Sequence, residues 1–245
     1  MSADGPALAG QTVILIGGSA GIGLETARLA RAEGADVILT GRDQGKLEAA
    51  AREVRARQVA AFDAFDPAAV KRFFDEVPAP IDHILVTAGG PAYGPLLEMD
   101  AAQVREALSS HIVVDLEVAR NAVGKMRAGG TLLFVGGTGG RHISRDLGIA
   151  SAATAALPPF AAALALEVAP VRVNLIAPGF VDTPLSASLL GDQLEARRSQ
   201  LRAELPIGRV IGPADVAALA VHIMINTALT GAVYDIDGGQ QFVET

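Results

Sequence analysis

Val13-Ile14-Leu15-Ile16 runs directly into Gly17-Gly18-Ser19-Ala20-Gly21-Ile22-Gly23, and a helical pattern from Leu24 to Glu33 follows without a spacer. Four branched apolar residues in a row suit a strand buried on both faces of a parallel sheet. The glycines behind it have separate tasks. Gly17 permits a tight turn, Gly21 lets the backbone approach a pyrophosphate, and Gly23 lets the helix pack closely on the strand. The anion would sit on free N–H groups of a helix that starts near Ile22. A glycine-rich turn alone is a weak signal; a strand before it and a helix after it point to nucleotide binding.

The next strand, Asp36 to Thr40, ends in Gly41-Arg42. An acidic residue at such a terminus would hydrogen-bond the ribose hydroxyls of a dinucleotide and repel a 2′-phosphate. This chain has Gly41 there, and Arg42 offers a planar fork of donors suited to phosphate, so NADP(H) is expected over NAD(H). A solvated Arg opening the helix from Asp43 to Arg57 is the plainer alternative.

With 245 residues, half of them hydrophobic, the chain can bury one substantial core, and neither a linker nor an internal repeat divides it. A formal charge of −7 disfavours nucleic acid and anionic membrane surfaces as partners. The absence of cysteine excludes disulfides and thiolate chemistry. Met1 to Gly10 shows no basic stretch followed by an apolar run, so the expected location is the cytoplasm. The uncharged segment Leu147 to Leu166 is alanine-rich, carries Ser151 and Thr154 and is interrupted by Pro158-Pro159, so a buried helix is expected and not a membrane span.

Further strands are expected at Val59 to Phe62, Ile84 to Thr87, Thr131 to Val135, Val171 to Ile176 and Ala232 to Ile236, with helical stretches between them. Such alternation predicts an α/β fold with a doubly wound parallel sheet. No His/Asp/Glu cluster has metal-ligand spacing.

Together these motifs resemble the short-chain dehydrogenases/reductases, from Gly10 to Gly239. The family's T-G-x-x-x-G-x-G turn is similar to Ile16 through Gly23, its Asp-Val pair at the adenine to Asp63-Ala64, and its Asn-Asn-Ala-Gly turn to Val86-Thr87-Ala88-Gly89. Arg172-Val173-Asn174, the loop Pro178-Gly179-Phe180-Val181-Asp182-Thr183, and Asp237-Gly238-Gly239 match the remaining signatures. The resemblance implies a single Rossmann domain over residues 1–245 and a cofactor site of Gly17, Ser19, Ala20, Gly21, Ile22, Gly23, Arg42, Asp63, Ala64, Thr87, Ala88, Gly89, Pro178 and Gly179, with Val181 and Thr183 at the carboxamide.

The catalytic half of the family pattern is different here. In relatives a tyrosine donates the proton, and a lysine four residues further along the helix depresses its pKa. Ala150 aligns with the tyrosine, Thr154 with the lysine, Gly137 with the substrate-orienting serine and His111 with the asparagine, the last with a one-residue uncertainty toward Ser110. Substitute acids are sought in Tyr93, Thr138 and His142, and positive charge in Arg141, His142 or Arg145. The missing lysine also implies that a dinucleotide is anchored better at its adenosine end than at its nicotinamide end.

Pro158-Pro159 predicts a kink or break in a helix otherwise running from Ala150 to Val168, because each interior proline costs about 3 kcal/mol. Leu185 to Arg209 corresponds to the family's substrate-covering region; Leu185, Leu189, Leu190 and Leu194 would either close over a nonpolar ligand or pack permanently on the body. Family members are commonly dimers or tetramers, so a homo-oligomer with a small-molecule substrate or ligand is expected. Two functions follow: an NADP(H)-dependent oxidoreductase with a non-standard active site, or a noncatalytic NADP(H)-binding sensor or inactive partner of a homologous enzyme.

Overall fold

The computed structural model describes residues 5–141, 143, 145 and 147–243. Strands β1 (Thr12–Ile16), β2 (Asp36–Gly41), β3 (Gln58–Ala61), β4 (Ile81–Val86), β5 (Met126–Val135), β6 (Arg172–Pro178) and β7 (Val233–Ile236) pair in the order β3-β2-β1-β4-β5-β6-β7. Every pairing is parallel, which is the doubly wound sheet predicted from the alternation. The chain winds outward through β2 and β3, then returns to the other side of β1 at β4. That reversal opens a crevice beyond the carboxyl ends of β1 and β4, where folds of this kind bind ligands.

Strand periodicity explains why the sheet needs cover on both sides. Ile14, Ile16, Ile84, Val86, Leu132 and Phe134 face one core. There they meet Val70 and Phe74 of α3 (Pro67–Glu76), Val118 of α4 (Ala101–Ala122) and Leu164 of α6 (Leu157–Glu167). The intervening Val13, Leu15, Leu85 and Leu133 face the other core. It is completed by Ala27 of α1 (Gly21–Ala32), Leu47 of α2 (Gln44–Val54) and Val216 of α9 (Pro213–Ile225). Each fully buried Leu, Ile or Val contributes about 1.5–3 kcal/mol by leaving water.

Two strands begin earlier than their apolar runs. β4 starts at Ile81 because polar Asp82 and His83 are buried with partners: Asp82 Oδ2 accepts from Thr12 N at 2.8 Å, Asp82 Oδ1 from Arg127 Nε at 2.6 Å, and His83 Nε2 lies 2.7 Å from Gln11 Oε1. β5 starts at Met126 and slips in register between Ile81 and His83, where Gly129 has φ +79°.

The long alanine-rich helix is broken, as the prolines predict. α5 (Gly148–Ala155) ends at Ala156, and Pro158 and Pro159 fall in the first turn of α6, where a missing N–H costs no helical hydrogen bond. Gly148–Glu167 is long and apolar enough to cross a membrane by composition, yet its two halves pack on α4 and β6.

Candidate active site

The turn after β1 is held by backbone. Gly17 N and Gly18 N both donate to Thr40 O, at 3.2 and 2.9 Å. Gly17 has φ +99°, and a Cβ there would meet Thr87 Oγ1 at 2.5 Å. A Cβ on Gly23 would lie 2.2 Å from Gly17 O, so only glycine lets α1 start this close to the strand end. Gly21 has φ +54° and faces Thr183, whose Cγ2 would lie 3.5 Å from an added Cβ. Asp43, Asp66 and Asp100 cap the amino ends of α2, α3 and α4, but Ala20 at the start of α1 supplies no acceptor. The first-turn N–H groups of α1 therefore present partial positive charge to the crevice, which fits a dinucleotide pyrophosphate.

The adenosine side is built next to this turn. A Cβ on Gly41 would lie 3.2 Å from Ser19 Oγ, so the end of β2 abuts the turn, and Arg42 follows it fully in solvent reach. Phe62 N donates to Gly41 O at 2.9 Å, which brings Asp63 and Ala64 alongside; Asp63 Oδ1 accepts from Phe65 N at 3.1 Å. Thr87 ties β4 to β1, its N donating to Ile16 O at 2.8 Å and its hydroxyl shared between Ile16 O and Gly17 O. Ala88 packs against the core at that turn, and Gly89, with φ +123°, lies against His111, where an added Cβ would meet the ring at 3.2 Å.

Beyond the turn the crevice widens into a cavity of about 680 Å³, with mostly apolar walls. Of the residues expected to hold a cofactor, Ile22, Thr87, Gly89, Pro178, Gly179, Val181 and Thr183 line it, and the others do not. Val181 pairs with Ile211 in an isolated bridge. Thr183 caps α7 (Pro184–Leu190), with Ser186 Oγ accepting from Thr183 N at 2.8 Å.

The family's catalytic positions converge on the same cavity. Gly137, Ala150, Thr154 and His111 all line it, joined by Tyr93 and buried Thr138. An added Cβ on Gly137 would lie 3.5 Å from both Pro178 O and Thr154 Cγ2, an ordinary contact. The Thr154 hydroxyl is turned back into its own helix, donating to Ala150 O at 2.9 Å. Burial lowers the His111 pKa and so keeps the ring neutral. Tyr93 is 51% exposed; its partial burial raises its pKa, and the charge of Arg197 opposes that rise.

Of the expected sources of positive charge, neither described arginine lines the cavity. Arg141 turns away to pair with Asp235 on β7, Arg145 is exposed and outside the lining, and His142 lies outside the described residues. Among the described residues the arginine that lines the cavity is Arg197, on α8 (Leu194–Glu204). Leu185, Leu189 and Leu190 also line it, but Leu194 does not. The sequence reading also missed Ser151, whose buried Oγ has no hydrogen-bond partner among the described residues, and Gln240, whose Oε1 accepts from Phe180 N at 2.8 Å. Asp237 places Gln240 by accepting from Gly239 N and Gln241 N.

Comparison with known proteins agrees with this geometry. The chain matches the family described as "Enoyl-(Acyl carrier protein) reductase" over residues 17–241. It is 28% identical to "Short-chain dehydrogenase/reductase ATR9" of Stachybotrys chlorohalonatus, covering 96% of this chain and 98% of that protein. It is 30% identical to the "NADP-dependent (R)-specific alcohol dehydrogenase" of Lentilactobacillus kefiri, covering 95% and 97%. Among solved structures, a small-chain dehydrogenase in complex with NADPH superposes with a TM-score of 0.81 at 26% identity, covering 95% of this chain and 99% of the other.

Proposed function

We propose that this chain, which belongs to the short-chain dehydrogenase/reductase family, is an NADP(H)-dependent oxidoreductase that delivers its proton by a non-standard route. The uncapped start of α1 supports binding of the pyrophosphate, Arg42 that of a 2′-phosphate, and Val181 and Thr183 a nicotinamide at the cavity mouth. NADPH appears in the complex of the similar small-chain dehydrogenase, and NADP in the name of the alcohol dehydrogenase. The bound dinucleotide supplies hydride; the chain must supply a proton and orient the acceptor.

One observation carries the non-standard route: among the described residues the cavity is lined by a single tyrosine, Tyr93, and by no lysine. Ala150 has no acidic proton, and Thr154 spends its hydroxyl on its own helix. Tyr93 is the proton donor of this reading. Its hydroxyl, protonated near neutral pH, donates to a developing alkoxide and recovers its proton from solvent; burial raises its pKa, which makes it a weaker acid than the lysine-assisted tyrosine of relatives. In this reading Thr138, which lines the cavity, orients the acceptor by hydrogen bonding.

The test is NADPH oxidation, at steady state and in single turnover, over a panel of carbonyls, imines and activated alkenes. Turnover is expected on at least one class, with kcat reduced about 100-fold in Tyr93→Phe while NADPH affinity holds. No oxidation anywhere on the panel would instead favour a noncatalytic sensor or inactive partner subunit. The triple variant Gly137→Ser, Ala150→Tyr, Thr154→Lys is expected to gain ordinary carbonyl reduction, since a Cβ at position 137 makes only ordinary contacts.

The protein is also proposed to be a homodimer or homotetramer. Leu108, Val113 and Leu116 on α4 and Leu166 on α6, the last 84% exposed, form apolar surface suited to a second copy, which light scattering of the purified protein would reveal.

A further inference from the structure

We propose that Arg197 is the anion anchor of the substrate pocket, and that the molecule turned over there carries a carboxylate. The inference rests on the reading of the cavity as the substrate end of an oxidoreductase site, and it names the substrate class. The lid arginines divide into two groups. Arg198 pairs with Asp182 at 2.7 Å, Arg202 with Glu195 at 3.0 Å, and Arg209 with Asp215 at 2.6 Å. Each of those three is neutralised by a neighbouring carboxylate.

Arg197 is different. It is half-buried, lines the cavity, and is held by a neutral partner, its guanidinium donating to Gln200 Oε1 at 2.8 Å. Among the described residues no carboxylate oxygen lies within the 4.0 Å of an ion pair. Glu204, on the same helix, attracts it only from beyond that distance. Burial therefore lowers the Arg197 pKa without a close counter-charge to offset the cost. A guanidinium partly desolvated in an apolar cavity is stabilised by a planar anion that can take two of its N–H groups at once.

The chemistry favours a carboxylate over a phosphate. Among the described residues Arg197 is the single arginine or lysine of the lining, and His111 is kept neutral by burial, so one positive charge is on offer and a dianion would stay half uncompensated. Position also separates Arg197 from the dinucleotide phosphates. Its electrostatic neighbours are Glu204 on its own helix and, more weakly, Tyr93 in the loop beyond β4, whereas the phosphate-binding turn at Gly21 faces Thr183. An anchor beside Tyr93 would hold a carboxylate at one end of the substrate with its carbonyl toward the proton donor. It would also give an otherwise negatively charged chain, at −7, a local reason to admit an anion.

The experiment measures binding, so it does not depend on hydride transfer. The full chain saturated with NADP+ is titrated by calorimetry with matched acid and amide pairs: 4-formylbenzoate and 4-formylbenzamide, 4-oxocyclohexanecarboxylate and its carboxamide, levulinate and levulinamide. At least one acid is expected to bind about tenfold more tightly than its amide. Arg197→Gln should abolish that preference with amide binding and NADPH affinity unchanged, and Arg197→Lys should retain part of it. Equal affinity of acid and amide across all pairs, or no binding by any acid, overturns the proposal. So does a preference that survives in Arg197→Gln, or a loss of NADPH affinity in that variant, which would assign Arg197 to the cofactor. An acid preference without turnover would leave the anchor standing while removing the catalytic reading above.

Discussion

The turn after β1 and the wall formed by β5 and α5 face the same crevice but are built in opposite ways. The turn is shaped by close approach: a Cβ on Gly23 would lie 2.2 Å from Gly17 O and one on Gly17 2.5 Å from Thr87 Oγ1, and the N–H groups of α1 are left without a side-chain cap. The wall is shaped by small side chains, Gly137, Ala150 and Thr154, where a Cβ added at Gly137 would make only ordinary contacts and the Thr154 hydroxyl is turned back into its helix. A backbone-built site tolerates almost no substitution, whereas a wall of small residues can change its chemistry without disturbing the fold.

The sharpest way to break that contrast is Gly23→Ala. With the methyl carbon forced to 2.2 Å from Gly17 O, a destabilisation of about 3 kcal/mol and loss of NADPH binding are expected in urea unfolding and fluorescence titration. If Gly23→Ala folds and binds normally, the turn is looser than its geometry implies.

Next in size is a pH effect that separates stability from the site. His83, buried on β4 at the end of the sheet away from the cavity, has its pKa lowered to about 4, chiefly by burial. Between about pH 6.5 and 4 the unfolded chain binds a proton that the native ring resists, so stability falls as pH drops through that window. The loss reaches about 3 kcal/mol. Unfolding midpoints at pH 7 and 4.5 should therefore differ, and His83→Gln should flatten the difference while leaving NADPH affinity at pH 7 untouched. A slope that persists in the variant would place the sensitive group elsewhere.

The smallest effect sharpens the cofactor assignment. Arg42→Ala is expected to weaken NADPH binding about tenfold or more with little change for NADH. Equal losses for both dinucleotides would mean that Arg42 does not read the 2′-phosphate.

Much of the fold was legible because burial leaves a periodic record. Ile14 and Ile16 against Val13 and Leu15 announce a strand covered twice, and the glycines of the turn announce close approach. Asp82 and His83 hid the start of β4, since polar residues read as loop until Thr12, Arg127 and Gln11 are seen to satisfy them. The site was legible at its backbone-built end and opaque at its cation. Arg197 and Arg198 are consecutive, and nothing in the one-dimensional pattern says which of them Asp182 will neutralise. Likewise Gln240 gained its place only from Asp237, which folds the chain end back onto Phe180.

The interruption at Ala156 has an electrostatic result. It gives α5 a carboxyl-terminal end of its own beside the cavity, so the last-turn carbonyls around Thr154 contribute partial negative charge there. The start of α6 would ordinarily answer with positive charge, but Pro158 and Pro159 have removed two of its donors. The macrodipole thus favours an ammonium group at position 154 by about 0.3–1 kcal/mol. A seat for a cation persists in the backbone where the side chain has none to place in it.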